Sequence, residues 1–303
     1  MICSADAEGI SQMRAARTLA GIVKGAIKPV LPESLILKNL VRREFRQGDA
    51  EIRIVHCLCS RSEIAIDVGA NRGPYAYVFS RYCDHVLALE PHPLMVKRLR
   101  KALPRRVKIL NIAASDREGE CTFHIPVSDG QDLDTRCSLE AEVNHQFATR
   151  TISVERQRLD RLSLEGRAVG VVKIDVEGHE LSTLGGMTGM IAQFQPTIIV
   201  ESEARHHPGA PRNVFEFLCS FGYKGYFIHR GVLRTLDEFS VEKYQAASVE
   251  TSFDEDKSPD YINNFVFIHP ARSDVLKRVK QVFPAPAPSL AVDALSYSSF
   301  LGN

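Results

Sequence analysis

Apolar positions along this chain follow two alternating rhythms. Short, nearly continuous apolar runs lie near 64–68, 86–90, 107–112, 170–175, 197–202, 223–228 and 263–268. Such runs are what strands buried on both faces require. Between them, apolar residues recur at helical spacing over 74–83, 93–103, 179–193 and 211–221. Strands alternating with helices predict parallel βαβ units and a sheet covered on both faces. The run Val169-Gly170-Val171-Val172-Lys173-Ile174-Asp175 reads as a central strand.

The rhythm breaks in three places. Within 113–160, Cys121–Ile125 and Thr151–Val154 read as short β segments around a polar loop, so an extra hairpin or flap is expected. Residues 1–60 read as helical, with Pro29 and Pro32 dividing them into two helices. After 271 one amphipathic helix precedes Pro284-Ala285-Pro286-Ala287-Pro288 and a Ser-rich end, which is expected to be disordered or loosely docked. The expected organisation is a helical extension over 1–60, a principal domain over 61–270, and a C-terminal helix and tail over 271–303.

With 303 residues, 44% of them hydrophobic, the chain can bury a full α/β core. A formal net charge of +1 gives no whole-molecule field for nucleic acid, which is not expected as a partner. Seven cysteines without a Cys-x-x-Cys pair read as reduced thiols. No apolar run reaches the roughly 18 residues of a membrane span, and no signal-peptide pattern opens the chain. A cytoplasmic location is expected. Arg14 to Lys28 is basic and weakly amphipathic, with Leu19, Ile22, Val23 and Ile27 at helical spacing. It reads as a segment docked on the domain, with membrane-surface contact as the alternative. The cluster Lys97, Arg98, Arg100, Lys101, Arg105, Arg106 and Lys108 reads as a solvated helix face, or else as a patch for an anionic glycan or lipid.

Four acidic residues end predicted strands: Asp67, Glu90, Asp175 and Glu201. In a parallel sheet these ends share one edge, outside which ligands bind. The first strand runs through Asp67 into Gly69-Ala70-Asn71-Arg72-Gly73, and the second ends on Glu90. Glycines there let the backbone pass close to a ligand, and a carboxylate at the next strand end suits a ribose diol. A nicotinamide dinucleotide fits poorly: Ala70-Asn71 stands where the middle glycine of Gly-x-Gly-x-x-Gly belongs, and Asp67 puts negative charge before the turn. A cationic sulfonium nucleoside, S-adenosylmethionine, fits better. Asp67 would face its ammonium, Asn71 and the turn amides its carboxylate, and Glu90 both ribose hydroxyls. Ser115 and Asp116, after the third strand, are candidates for the adenine amino group.

The string Lys173-Ile174-Asp175-Val176-Glu177-Gly178-His179-Glu180, together with the Asp67–Gly73 turn and Glu90-Pro91, resembles the FkbM family of S-adenosylmethionine-dependent methyltransferases. Ala114-Ser115-Asp116, Ser138-Leu139 and Asn263-Asn264-Phe265-Val266-Phe267 are similar to that family as well, and the resemblance covers about 64–270. It implies a Rossmann-like class I methyltransferase fold, a mostly parallel seven-stranded sheet whose last strand is antiparallel. It also implies O-methylation of a hydroxyl on a glycan, polyketide or similar small molecule. The alternatives are a non-catalytic nucleoside-binding module and an NAD-dependent oxidoreductase.

An alcohol acceptor needs a base as the new bond forms. His179 is the expected base, its ordinary pKa of about 6.5 suiting that role. Asp175 and Glu177 would orient it or bind acceptor hydroxyls, and Glu201 would face the same cleft. No metal is expected, because these side chains define no coordination geometry. Oligomeric state is not legible.

Overall fold

The computed structural model describes residues 31–128, 131–132, 137–144, 147–207, 209–246 and 260–285. The readings of Arg14 to Lys28 and of the Ser-rich tail lie outside them. The described strands are β1 (Ile64–Val68), β2 (His85–Leu89), β3 (Val107–Leu110), β4 (Ala113–Ala114), β5 (Gly119–Ser128), β6 (Gln131–Asp132), β7 (Ala148–Gln157), β8 (Val169–Ile174), β9 (Thr197–Glu201), β10 (Lys224–His229), β11 (Val232–Thr235) and β12 (Asn264–Ile268). The helices are α1 (Glu33–Gln47), α2 (Val55–Leu58), α3 (Pro74–Tyr82), α4 (Pro93–Ala102), α5 (Glu180–Gly185), α6 (Thr188–Phe194), α7 (Arg212–Ser220), α8 (Val241–Tyr244) and α9 (Ser273–Val282).

The principal sheet has eight strands in the order β11-β10-β12-β9-β8-β1-β2-β3. β1 pairs in parallel with β2 and β8, β2 with β3, and β8 with β9. β12 is antiparallel to both β9 and β10. The Rossmann-like expectation holds, including the reversed last strand, but the count of seven does not. The added edge strand is β11, whose four residues bury only one side chain, Leu233. It returns along β10 through Arg230-Gly231, both at positive φ (50° and 76°), a hairpin turn whose twist matches the strands it joins. So short and exposed a strand leaves almost no hydrophobic pattern.

Alternate strand residues feed two cores. Ala65, Val171, Ile199 and Val266 face α1, α3 and α9 through Leu37, Val41, Phe79, Val275 and Val279. Ile66, Val172, Ile198 and Phe265 face α5, α6 and α7 through Leu184, Ile191 and Leu218. The helix expected over 179–193 is two helices. At the break, a Cβ on Gly186 would stand 2.0 Å from the Ser115 carbonyl oxygen. The expected flap is a second, four-stranded sheet in the order β4-β7-β5-β6. Its long hairpin, β5 with β7, pairs from Gly119↔Arg156 to Val127↔Ala148. No helix among the described residues is long and apolar enough to cross a membrane, and the six described cysteines are free thiols.

Candidate active site

All four strand-end acids, Asp67, Glu90, Asp175 and Glu201, line one cavity of about 920 Å³ at the carboxyl edge of the principal sheet. Around Glu90 its wall is largely backbone. The Glu90 carboxylate accepts from the Asn71 amide through Oε2 (2.7 Å) and from the His92 amide through Oε1 (2.8 Å). Each oxygen keeps a lone pair. Burial pushes this carboxyl up to about 7, against the two amide bonds. Asp67 Oδ2 accepts from the Ala76 amide in the first turn of α3 (2.8 Å). Burial also pushes Asp67 up to about 7, with the Lys173 ammonium opposing. Gly69, at φ +78°, has no alternative residue: a Cβ there would stand 1.8 Å from the Asp175 carbonyl oxygen.

Most expected nucleoside contacts meet here. Asp67, Gly69, Ala70, Asn71, Glu90, Pro91 and Asp175 all line the cavity, joined by the apolar Ile112, Ala113, Phe123 and Leu139. Three others do not line it. Gly73 closes the turn, its amide donating to the Ala70 carbonyl (2.7 Å). Ser115 and Asp116 are turned away, the Ser115 hydroxyl bonding Asp116 Oδ1 (3.1 Å). Three turn amides are engaged within the protein: Gly69 and Ala70 both donate to the Leu89 carbonyl (3.0 Å each), and Asn71 donates to Glu90.

His179 is buried, and both its ring nitrogens are engaged. Nδ1 pairs with Glu140 Oε1 (2.6 Å) and Nε2 with Ser115 Oγ (3.0 Å). That hydrogen bond and the His179 charge hold the Glu140 carboxyl below its ordinary value, against burial. The imidazole ties the 138–140 segment to the strand end at Ser115. Segment and turn are joined again by Ser138, whose hydroxyl donates to the Glu177 carbonyl (2.6 Å).

Farther along the cavity the wall is made of side chains. Lys173 is 1% exposed. It stands across the strand pair from Asp67, and its ammonium donates to Asn264 Oδ1 (3.0 Å) and lies 3.5 Å from Asp175 Oδ2. Burial disfavours this charge, but Asp175, Glu201, Asp49 and Asp67 outweigh it and hold the ammonium above its ordinary pKa. From Asn264 the network continues: Asn264 Nδ2 donates to Asn263 Oδ1 (3.2 Å), and Asn263 Nδ2 to Glu201 Oε1 (2.7 Å). The Tyr75 ring lies 5.3 Å from the Lys173 ammonium, and its buried hydroxyl has no hydrogen-bond partner among the described residues. Burial raises the Tyr75 pKa well above its ordinary value, and Asp49, Glu51, Asp175 and Glu201 add to the shift.

At the far end the Arg205 guanidinium forks onto Glu203 with two 2.9 Å bonds, and the Tyr261 hydroxyl donates to the same carboxylate. His206 Nε2 lies 3.1 Å from Glu177 Oε2. Glu177 and His179 also line the cavity. Among the described residues no group of three or more His, Cys, Asp or Glu side chains is placed to hold a metal ion.

Lys173, Tyr75, Asn263, Asn264, Asp49, Glu51 and Glu140 were not expected as site residues. A single charge inside an otherwise apolar central strand is a signal that Lys173 carries. Asp49 and Glu51 lie between α1 and α2, in a stretch that reads only as helical.

A reversed strand in an otherwise parallel sheet, with a glycine turn and strand-end acids at its carboxyl edge, is the architecture of a Rossmann-like α/β domain. The model of the Methyltransferase FkbM domain matches residues 67–224, and the chain belongs to the FkbM methyltransferase family. It is 29% identical over 172 residues to Hexuronic acid methyltransferase AglP of Haloferax volcanii, covering 55% of this chain and 66% of that protein. It is 28% identical over 179 residues to 2-O-methyltransferase NoeI of Sinorhizobium fredii, covering 52% of this chain and 74% of that protein. Among solved structures, methyltransferase FkbM from Methylobacillus flagellatus aligns with a TM-score of 0.43 at 16% identity, over 69% of this chain and 44% of that one. The family match begins at 67 and leaves out α1, α2, Asp49 and Glu51.

Proposed function

We propose that this chain is an S-adenosylmethionine-dependent O-methyltransferase acting in the cytoplasm on a hydroxyl of a glycan or similar small molecule. One observation carries the reading: a single cavity joins the fixed Glu90 carboxylate to the side-chain network of Lys173, Asp175 and Glu201. About 920 Å³ is near the upper end of ordinary ligand pockets and leaves room for a nucleoside and an acceptor together. The two relatives are named for methylating a hexuronic acid and a 2-O position, which supports an acceptor with sugar hydroxyls.

The residues fit the cofactor. Both Glu90 oxygens hold one backbone amide and retain a lone pair for a ribose hydroxyl. Asp67, buried beside the turn, suits an ammonium. Ile112, Ala113 and Phe123 flank the adenine with apolar surface, taking the place first given to Ser115 and Asp116. Arg72, exposed at the cavity wall, is assigned the methionine carboxylate. When bound, S-adenosylmethionine supplies the methyl group and a neutral thioether leaving group.

On the acceptor side the protein positions an oxygen and removes its proton. With both nitrogens of His179 engaged, we assign the proton to Asp175, at the junction of the two halves and fixed by Lys173 (3.5 Å). Glu201, anchored by Asn263, and the Tyr75 hydroxyl hold neighbouring acceptor hydroxyls. Glu177 supports the turn that carries His179.

Calorimetry with S-adenosylmethionine and with NAD tests the cofactor, and tritiated-methyl transfer to a panel of hexosides and hexuronides tests the reaction. Cofactor binding and label on a sugar hydroxyl are expected. NAD binding without S-adenosylmethionine binding overturns the reading, and cofactor binding with no acceptor ever labelled favours a non-catalytic nucleoside-binding module.

A further inference from the structure

α1 packs across α4, and the outer faces of the two helices share an unusual composition. Leu35 and Phe45 on α1 are each 40% exposed, Ile36 is 37% exposed, and Leu94 on α4 is 48% exposed. With Leu31 just before α1, they make up five of the seven exposed large hydrophobic residues among those described. The exposed cations Lys38, Arg42 and Arg46 on α1, and Lys97, Arg100 and Lys101 on α4, stand among them. Helical spacing puts Leu35, Arg42 and Arg46 on one line along α1, and Leu94, Lys97 and Lys101 on one line along α4. α4 contains no acid, and the two acids of α1, Glu33 and Glu44, are only partly exposed, toward its inner side. In a chain of net charge +1, this face is a local excess of positive charge. It adjoins the cavity, which α1 lines through Arg43, Glu44, Arg46 and Gln47.

We propose that the joint outer face of α1 and α4 docks the protein on an anionic lipid bilayer, presenting the cavity mouth to the membrane surface. A bilayer interface takes both kinds of side chain at once: the apolar ones enter the headgroup boundary while the cations meet anionic headgroups. A nucleic acid or a dissolved polyanion would engage the cations alone and leave Leu35, Ile36, Phe45 and Leu94 in water. Isolated exposed leucines are ordinary, but grouped ones rimmed by charge mark a contact surface. The sequence immediately before α1 has the same character, with Arg14, Arg17, Lys24 and Lys28 among Leu19, Ile22, Val23 and Ile27. The inference stands apart from the chemistry in the cavity and is tested without it.

The test is co-sedimentation of the full chain with phosphatidylcholine vesicles, either pure or containing roughly one-third phosphatidylglycerol. Two variants change surface residues outside the cavity wall: Lys38→Glu/Arg42→Glu/Lys97→Glu/Lys101→Glu, and Leu35→Gln/Ile36→Gln/Leu94→Gln. Wild type is expected to bind the anionic vesicles roughly tenfold or more tightly than the neutral ones. Each variant should lose about tenfold or more of that binding while its circular dichroism and cofactor affinity stay unchanged. Absence of vesicle binding, or equal binding to both vesicle types, overturns the proposal. So does loss in the charge variant with full binding retained in the apolar one, the behaviour of a polyanion site such as one for nucleic acid. Unchanged binding by both variants places the contact elsewhere and overturns it too.

Discussion

The two halves of the cavity are assembled in different ways. The half around Glu90 comes mostly from one contiguous stretch, residues 64–92, and its key carboxylate is fixed by backbone amides. The half around Lys173 draws on distant pieces: Asp49 and Glu51 before α2, Tyr75 in α3, Lys173 in β8, Glu201 at the end of β9, and Asn263 and Asn264 at the start of β12. There the fixing contacts run from side chain to side chain. A backbone cradle tolerates many sequences provided the turn keeps its shape, whereas a side-chain network must be specified one residue at a time. Chemistry common to a family suits the first mode, and choice of acceptor suits the second. Asp49 and Glu51 lie outside the family match, whereas Tyr75, Lys173 and Glu201 lie inside it.

The sharpest way to break this division is at the junction. Asp175→Asn should lower kcat by about 10²–10⁴-fold and leave cofactor affinity within a few-fold, read by tritiated-methyl transfer and calorimetry. His179→Ala should cost less and leave the shape of the pH–rate profile unaltered, because the imidazole acts there as a tie. A profile that loses an ionisation in His179→Ala, with Asp175→Asn still active, returns proton transfer to the histidine.

Within the backbone half, Glu90→Ala should weaken cofactor binding by roughly 100-fold or more, the cost of two charge-assisted bonds to the ribose diol. The acceptor KM, measured at saturating cofactor, should stay put. Within the side-chain half the pattern should invert. Tyr75→Phe removes one hydroxyl and keeps the ring, so acceptor KM should rise about 2–10-fold with cofactor affinity unchanged. If Tyr75→Phe weakens the cofactor as much as the acceptor, the two halves are not separate.

The same division explains what the sequence disclosed. Asp67 and Glu90 were readable because each sits at a fixed offset from a glycine turn, where local backbone geometry decides the placement. β1, β8 and β9 were readable because buried strands show as apolar runs. Ser115 and Asp116 lie off the cavity lining, with Ser115 tied to His179, 64 residues away, and no local pattern encodes that. The acceptors of the Gly69, Ala70 and Asn71 amides, the Leu89 carbonyl and the Glu90 carboxylate, also lie one strand over, beyond what the local sequence encodes. Tyr75 left no trace, since an aromatic residue at the start of a helix is ordinary. Lys173 was visible but read as part of its apolar strand, although a lone charge in a strand covered on both faces needs partners.

The comparison can also be sharpened through pH. Burial raises Asp67 from 3.8 and Glu90 from 4.5, each to about 7. A carboxyl whose folded value lies above its unfolded one is protonated more readily in the fold. Its stabilising contribution is therefore complete below about pH 4 and is lost as pH rises toward about 7. Cofactor-free protein should lose melting temperature across that window. An ammonium and a ribose diol prefer the ionised carboxylates, so binding releases protons, and affinity should rise by up to roughly tenfold per group between about pH 6 and about pH 8. The thermal shift on adding cofactor should grow over the same interval. Glu90→Gln, which cannot ionise, should flatten part of that rise, whereas Tyr75→Phe should leave it intact. Cofactor affinity independent of pH in the wild type would mean that neither carboxylate faces the ligand in its charged form.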